Sequence, residues 1–170
     1  WKLSFEGKEL ASDDIKVHFV NGKVNFTLKR SETPLWWPRG FGKANLCDIE
    51  LIFKKDGKQL CSWQSKWGLS RIRLDRDEGI TPDGKGEFKF VVNNEPCYAM
   101  GTNWKPTDFI PARADEKVLP FLEAVSDLEC NMIRIWGGGF YENDKFFNWC
   151  DENGVMVWQD FMFAGEYPIH

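Results

Sequence analysis

The sequence predicts a two-part α+β chain, in which an antiparallel β-sandwich is followed by parallel β-α-β units. Two observations carry this prediction. Apolar residues alternate in short runs through the first half, whereas in the second half they recur at helical spacing between compact apolar strands. The change falls at Asn93-Asn94, so we expect a sandwich over residues 1–94 and the β-α-β part over residues 95–170.

Short alternating runs separated by glycine-containing turns are the evidence for the sandwich. The strongest hairpin signal is the pair Asn21-Gly22, because Asn-Gly readily adopts the positive φ angles of a two-residue turn. A second such turn is expected at Asp56-Gly57. The predicted strands are 17–20, 24–28, 46–53, 60–67, 71–74 and 87–92.

The second half predicts three parallel strands alternating with two helices. Pro120 is expected in the first turn of the first helix, where a missing N–H does no harm, and Asn131 is expected to end that helix. Asn153-Gly154 is the stop signal of the second helix. The predicted strands are 97–100, 132–136 and 155–159, and the predicted helices are 118–130 and 142–152.

Three such strands are too few to close a barrel of eight, which takes roughly 250 residues. We therefore expect the chain to be the truncated start of a barrel, preceded by a sandwich whose first strands are missing, with the remainder in a longer parent protein.

Composition excludes several classes of function. The net charge is −4 with both signs scattered, so no basic stripe indicates nucleic acid, and no apolar stretch is long enough for a membrane span. The two histidines, His18 and His170, have no partners at metal-binding spacing, and no motif for a cofactor is present. We expect neither metal nor cofactor.

The five cysteines are an odd set without a CxxC pair. Buried reduced thiols are the favoured interpretation. Cys47 and Cys61 lie in neighbouring predicted strands, so a disulfide between them remains an alternative.

Aromatic residues make up 15% of the chain, including nine Trp and fourteen Phe. Large rings fill wide cores, and they also stack on the apolar faces of sugar rings. Which of the two applies depends on position, and four sequence strings supply positions: LWWPRGFG (35–42), GTNWKPTD (101–108), NMIRIWGGGFYE (131–142) and VWQDFM (157–162).

In these strings, and in their order and spacing, the chain resembles the β-mannosidases of glycoside hydrolase family two, from about Leu35 to Pro168. The resemblance implies an immunoglobulin-like sandwich followed by the first three units of a TIM (β/α)8 barrel. It implies a retaining exo-glycosidase that hydrolyses terminal β-mannosides. In that family both catalytic glutamates follow later barrel strands, so we expect no catalytic residue in this chain and interpret Glu166 as a loop residue.

The expected partners are a carbohydrate substrate and the remainder of the parent chain, with self-association through exposed barrel edges. A different class of function stays open, namely a non-catalytic β-sandwich module that binds carbohydrate or protein. The parallel strands predicted for the second half argue against that alternative, because a binding sandwich does not need them.

Five residues are candidate sugar contacts because ligand sites of barrels form at the carboxyl ends of the strands. Arg134 and Trp136 end the second predicted strand, Asp160 ends the third, and Asn103 and Trp104 follow the first. Each also has a structural alternative: an ion pair for Arg134, packing for the tryptophans, and a cap or ion pair for Asp160.

Neighbouring residues have roles of their own. The triplet 137–139 is expected to bring backbone close to the ligand, because glycine tolerates any φ. Glu142 is expected only to begin a helix. Trp36 and Trp37 are expected to pack in the sandwich, and Trp158 in the barrel core.

Overall fold

The computed structural model describes residues 1–17, 23–76, 88–108 and 110–165. Its sheets are mostly antiparallel, and helices are few. The chain divides into two compact units. The first contains Trp1–Trp36 and Asn45–Leu69, and the second contains Trp37–Ala44 and Ser70–His170. The domain boundary near residue 94 stays a prediction.

The first unit holds one antiparallel sheet of four strands: β1 (Lys2–Phe5), β2 (Lys8–Ser12), β3 (Cys47–Lys55) and β4 (Lys58–Trp67), in the order β2-β1-β3-β4. The turn predicted between β3 and β4 is confirmed, because Asp56 and Gly57 both have positive φ, 51° and 77°. Leu3, Cys47 and Ile49 form the buried core of this sheet.

The hairpin predicted around Asn21-Gly22 has its turn outside the described residues. Its flanks, residues 13–17 and 23–29, form no strand, so the strands predicted there are wrong over these residues. β3 pairs with β1, a strand that the sequence pattern did not predict, with Leu3 opposite Ile49. An alternating pattern shows that a strand could form, but which segment obtains a partner is decided by packing.

The second unit contains a three-stranded antiparallel sheet, β5 (Ile72–Arg76), β6 (Phe88–Val92) and β7 (Glu95–Cys97), in that order. Asn93 and Asn94, with φ of 52° and 75°, make the tight turn between β6 and β7. Cys97 pairs with Phe90 in this sheet. The first parallel strand therefore starts later than the predicted 97–100.

Three parallel strands follow, as predicted: β8 (Gly101–Trp104), β9 (Met132–Ile135) and β10 (Met156–Gln159), in the order β10-β9-β8. Helices α1 (Pro111–Asp127) and α2 (Asp144–Asn153) connect them. One face of the sheet and the two helices bury a common core, made by Trp104, Val118, Leu122, Val125, Cys130, Ile133, Ile135, Phe146, Cys150 and Val155.

Helix α1 corrects two predictions. It begins at Pro111, which takes the N-terminal position, so Pro120 lies inside the helix and not in its first turn. Pro120 and Glu116, whose carbonyl loses its helical hydrogen bond, are both exposed, so water can replace the bond that is lost at this interior proline. After the helix, the residue with left-handed φ is Glu129, at 54°, and not Asn131.

Helix α2 agrees with the prediction. The side chain of Asn143 caps its start by accepting the backbone N–H of Phe146 at 3.3 Å. Gly154 ends it at φ 68°, where a Cβ would also lie 2.9 Å from the backbone nitrogen of Arg39. Glycine is thus required at this stop by both conformation and space.

The adjacent tryptophans 36 and 37 belong to different units. Trp36 lies in the first unit with its ring against Gly68, whereas Trp37 lies in the second with its ring against Gly42. The expectation that both pack in the sandwich stays a prediction, because the second unit also contains antiparallel strands that were predicted for the sandwich. In the second unit, the Arg39 guanidinium donates to the backbone oxygen and hydroxyl of Ser126, at 2.9 and 3.0 Å, near the end of α1.

All five cysteines are free. Cys47, Cys97, Cys130 and Cys150 are buried as predicted, but Cys61 is exposed. Cys47 lies opposite Trp67 and Cys61 opposite Phe53, at different levels of the β3–β4 ladder. This separation excludes a disulfide between them, since a disulfide needs Cα atoms within about 7 Å.

Candidate functional site

The carboxyl edge of the parallel sheet carries the candidate site. In the register of the sheet Asn103 lies opposite Arg134, and Arg134 lies opposite Trp158. Side chains alternate between faces along a strand, and Ile133 and Ile135 point into the helix-covered core. Arg134 and its two register partners therefore project from the other face.

Arg134 and Asp160 are joined by a two-point ion pair. The guanidinium Nη2 lies 2.7 Å from Oδ2, and Nε lies 3.3 Å from Oδ1. Asp160 follows β10 directly, and its backbone N–H donates to the Ile135 carbonyl at 2.9 Å, which extends the parallel ladder by one bond. A planar fork on a carboxylate fixes the orientation of both groups.

Asn103 completes the cluster from the third strand. Its Oδ1 accepts a hydrogen bond from the remaining guanidinium nitrogen of Arg134, Nη1, at 3.3 Å. The Arg134 side chain is 46% exposed and that of Asp160 23%, so the cluster is open to solvent. A carboxylate accepts up to four hydrogen bonds, which leaves Asp160 able to take hydroxyl donors. We call Asn103, Arg134 and Asp160 the edge cluster.

Ile135 and Gln159 are the last paired residues of β9 and β10, and Trp136 and Asp160 follow them directly. Trp136 and Asp160 therefore lie side by side at the carboxyl ends of the two strands. Its side chain is partly exposed, and the ammonium of Lys105 lies 5.8 Å from the ring centroid. Sequence reasoning missed Lys105. Strand alternation could have found it, because Lys105 comes two residues after Asn103.

Trp104 is not brought to the edge cluster. It is 4% exposed within the helix-side core, and its ring meets Phe146 at 5.0 Å between centroids. Its indole N–H donates to Oε1 of Glu142 at 2.7 Å. Glu142 precedes the cap of α2, so the expectation that it only begins a helix is wrong. It accepts a hydrogen bond from a buried donor.

Trp158 lies level with Arg134 but contacts the antiparallel sheet of the same unit. Its ring stacks on Phe88 at 6.1 Å and meets Phe90 edge-on at 5.8 Å. It is 38% exposed, so it is an aromatic packing residue at the margin of the sheet and not part of a sealed core.

None of the three glycines at 137–139 has a left-handed φ, so backbone conformation does not require glycine there. The close neighbours of these positions are the more important constraint. A Cβ at Gly137 would lie 2.9 Å from the Phe161 carbonyl oxygen, and one at Gly138 would overlap the Trp136 ring. At Gly139 the nearest atom would be 3.3 Å away. The neighbours that require glycine are thus the protein's own groups.

The described residues form neither a metal-binding group nor a membrane-spanning helix. No group of three or more metal-binding side chains comes together there. Over those residues, neither helix combines the length and hydropathy needed to cross a membrane.

Comparison with known proteins gives a consistent result. The chain is 37% identical over 169 residues to a protein named β-mannosidase B from Neosartorya fischeri, and the match covers 98% of this chain. A β-D-mannosidase structure from Dictyoglomus thermophilum superposes with a TM-score of 0.81 at 34% identity, over 95% of the chain. The chain is a homologue of the β-mannosidases.

Other matches extend this result. A mouse β-mannosidase is 38% identical over 135 residues, which is 78% of this chain. A β-glucuronidase from Ruminococcus gnavus shares the fold, with a TM-score of 0.65 at 18% identity. No family model matches the sequence. This β-mannosidase homologue spans about 19% of the length of the curated relatives it matches.

Proposed function

We propose that this chain is part of a retaining exo-glycosidase that hydrolyses terminal β-mannosides. Residues 1–94 belong to an immunoglobulin-like sandwich and residues 95–170 supply the first three units of a TIM (β/α)8 barrel. The names of the relatives support the substrate class. The observation that carries the proposal is the Arg134–Asp160 pair at the carboxyl edge of the parallel sheet, where barrels bind ligands.

The edge cluster suits binding and not bond cleavage. A retaining mechanism uses two carboxylates about 5–5.5 Å apart, one as nucleophile and one as acid/base. Asp160 is held by Arg134 in a two-point pair, which fixes the direction of its carboxylate. In the proposed enzyme Asp160 and Asn103 accept sugar hydroxyls, and Trp136 covers an apolar sugar face. Both catalytic glutamates lie elsewhere in the parent chain, and Glu166 lies outside the described residues.

The remainder of the parent chain is the proposed partner at β10. Among the described residues this strand stands at the end of the order β10-β9-β8, so its outer edge can pair with a further strand. A second copy pairing there is the proposed route of self-association for the isolated chain.

The test uses the full-length parent protein and an aryl β-mannoside. We expect Asp160→Asn and Arg134→Lys to lower kcat/KM by about 10- to 100-fold, since each removes a fixed charge-assisted bond at the site. Arg73 and Asp75 provide a matched control, because they form an exposed Arg–Asp pair with a 2.7 Å contact on β5. Arg73→Lys and Asp75→Asn should leave kcat/KM unchanged. Equal effects at both pairs would refute the site.

The isolated chain should hydrolyse no aryl β-mannoside, because it supplies contacts without the paired carboxylates. Turnover by the purified chain that Glu166→Gln abolishes would show that a catalytic glutamate lies within it.

The second candidate function is a non-catalytic binding module. Trp63 and Trp67 of β4 favour it, because their rings are 6.4 Å apart and 45% and 43% exposed. This alternative predicts that Trp63→Ala abolishes mannan binding by the isolated chain. It also predicts that Asp160→Asn leaves parent activity intact.

A further inference from the structure

The position of the Trp136 ring depends on the absence of a side chain at residue 138. A Cβ built on Gly138 would overlap Cη2 of the indole and lie 2.6 Å from both Cζ2 and Cζ3. Contacts this short do not occur, so a substituent at 138 forces one group to move. The blocking atoms are the outer edge of a side chain that is 36% exposed, so the ring can turn away.

The neighbouring glycines meet different obstacles. A Cβ at Gly137 would meet backbone, 2.9 Å from the Phe161 oxygen, and would strain the loop itself. At Gly139 a Cβ would lie 3.3 Å from the Trp136 carbonyl oxygen, a slightly tight contact, but 3.7 Å from the nearest ring atom of Trp136, an ordinary one. Of the three positions, only 138 acts chiefly on the tryptophan ring.

Lys105 provides the second contact on the ring. Its ammonium lies 5.8 Å from the centroid, within the range over which a cation is attracted to an aromatic face. The orientation of the indole is thus restricted by the Gly138 backbone and favoured by the Lys105 ammonium, which comes from the end of the neighbouring strand. A ring constrained in this way presents a fixed surface to a ligand.

We propose that Gly138 is a positioning residue of the sugar site, with Lys105 in a supporting role. Gly138 leaves the space in which the Trp136 indole holds the orientation that covers the sugar ring. The inference rests on the proposed function, since it requires Trp136 to contact the substrate. It adds to that function a residue that does not touch the substrate: Gly138 affects sugar binding only through the orientation of Trp136.

The experiment measures kcat, KM and melting temperature of the full-length protein with an aryl β-mannoside. Gly138→Ala should raise KM on the order of tenfold, because a displaced ring no longer fits the sugar. Its melting temperature should stay close to that of the parent, because the displaced ring is partly exposed. Gly139→Ala is the matched control: its Cβ meets the Trp136 carbonyl oxygen at 3.3 Å but no ring atom closer than 3.7 Å, so the melting temperature should fall slightly while KM stays unchanged. An unchanged KM in Gly138→Ala, or an equal rise in Gly139→Ala, would overturn the proposal.

A double-mutant cycle tests whether Gly138 acts through Trp136. Trp136→Phe removes the outer ring atoms that the new methyl group would strike, so adding Gly138→Ala should not raise KM further. If Gly138→Ala raises KM equally in both backgrounds, the positioning role is refuted while the sugar contact of Trp136 stands. If Trp136→Phe has the parent KM, both the sugar contact and the positioning role fall. Lys105→Met should raise KM by a smaller factor, and only when Trp136 is present.

Discussion

Asn131 Oδ1 accepts the backbone N–H of Met100 at 2.9 Å, and the Asn131 backbone N–H donates to the Met100 carbonyl at 2.8 Å. These bonds lie immediately before the first rung of the β8–β9 ladder, where Gly101 is opposite Met132. The same register places Asn103 opposite Arg134. A fully buried asparagine at the bottom of the sheet therefore helps to set the alignment of the edge cluster.

The first prediction concerns the stability that Asn131 provides. Asn131→Ala leaves the Met100 N–H and the Tyr98 carbonyl, which Nδ2 contacts at 3.0 Å, without their side-chain partner. We expect the free energy of unfolding in urea to fall by about 2–3 kcal/mol. Asn153→Ala, which removes one bond to the Trp149 carbonyl, is the control and should cost about 1 kcal/mol. Equal losses would contradict this role.

The second prediction concerns the close approach of β8 and β9. A Cβ at Gly101 would collide with the carbonyl oxygen of Met132, which is backbone and cannot turn aside. Gly101→Ala should therefore lower the free energy of unfolding by about 1–3 kcal/mol. Gly139→Ala should change it little. A Gly101→Ala variant as stable as the parent in urea would show that the ladder can shift without cost.

The third prediction separates two roles of Glu142. If its function is to accept the Trp104 indole N–H, Glu142→Gln keeps an acceptor and Glu142→Ala leaves a buried donor unpaired. We expect a loss of about 1–2 kcal/mol in urea unfolding for Ala, and a clearly smaller loss for Gln. A helix-dipole role would make Gln and Ala equally unfavourable, because both remove the charge.

The fourth prediction concerns the reactivity of the thiols. Cys61 is exposed, whereas burial raises the pKa of Cys47, Cys97 and Cys150. Iodoacetamide should therefore modify Cys61 first in the native protein, and Cys61→Ser should remove the fast phase. Fast modification that persists in Cys61→Ser would contradict the burial of the other thiols.

The buried thiols with a raised pKa also make the free energy of unfolding depend on pH. At Cys150 burial is the main cause of the raised pKa, with the neighbouring Asp151 contributing. A raised native pKa contributes stability that is complete below the unfolded-state pKa, about 8.5, and is lost as pH rises above it. Urea unfolding at pH 7 and pH 10 should show this decrease, and Cys150→Ala should reduce it. An identical decrease in that variant would assign the effect to other groups.

Much of the local structure could be predicted from the sequence. Asp56-Gly57 predicts the β3–β4 turn because both positions need positive φ, and Asn153-Gly154 predicts the end of α2 for a related reason. The parallel strands at 132–135 and 156–159 follow from short apolar runs between helical patterns. The placement of Arg134 and Asp160 at neighbouring strand ends follows from this order.

Other features were decided by tertiary structure. The sequence does not show that Leu3 pairs beside Ile49, that Trp104 turns into the helix-side core to reach Glu142, or that Trp37 packs in the second unit. Each depends on which distant segment provides a partner. Periodicity and turn chemistry act within a few residues along the chain, so the sequence determined the Asp56-Gly57 turn, helix α2 and the strands β9 and β10. Burial and hydrogen bonding between distant residues decided which neighbours those elements obtained and toward which face each tryptophan points.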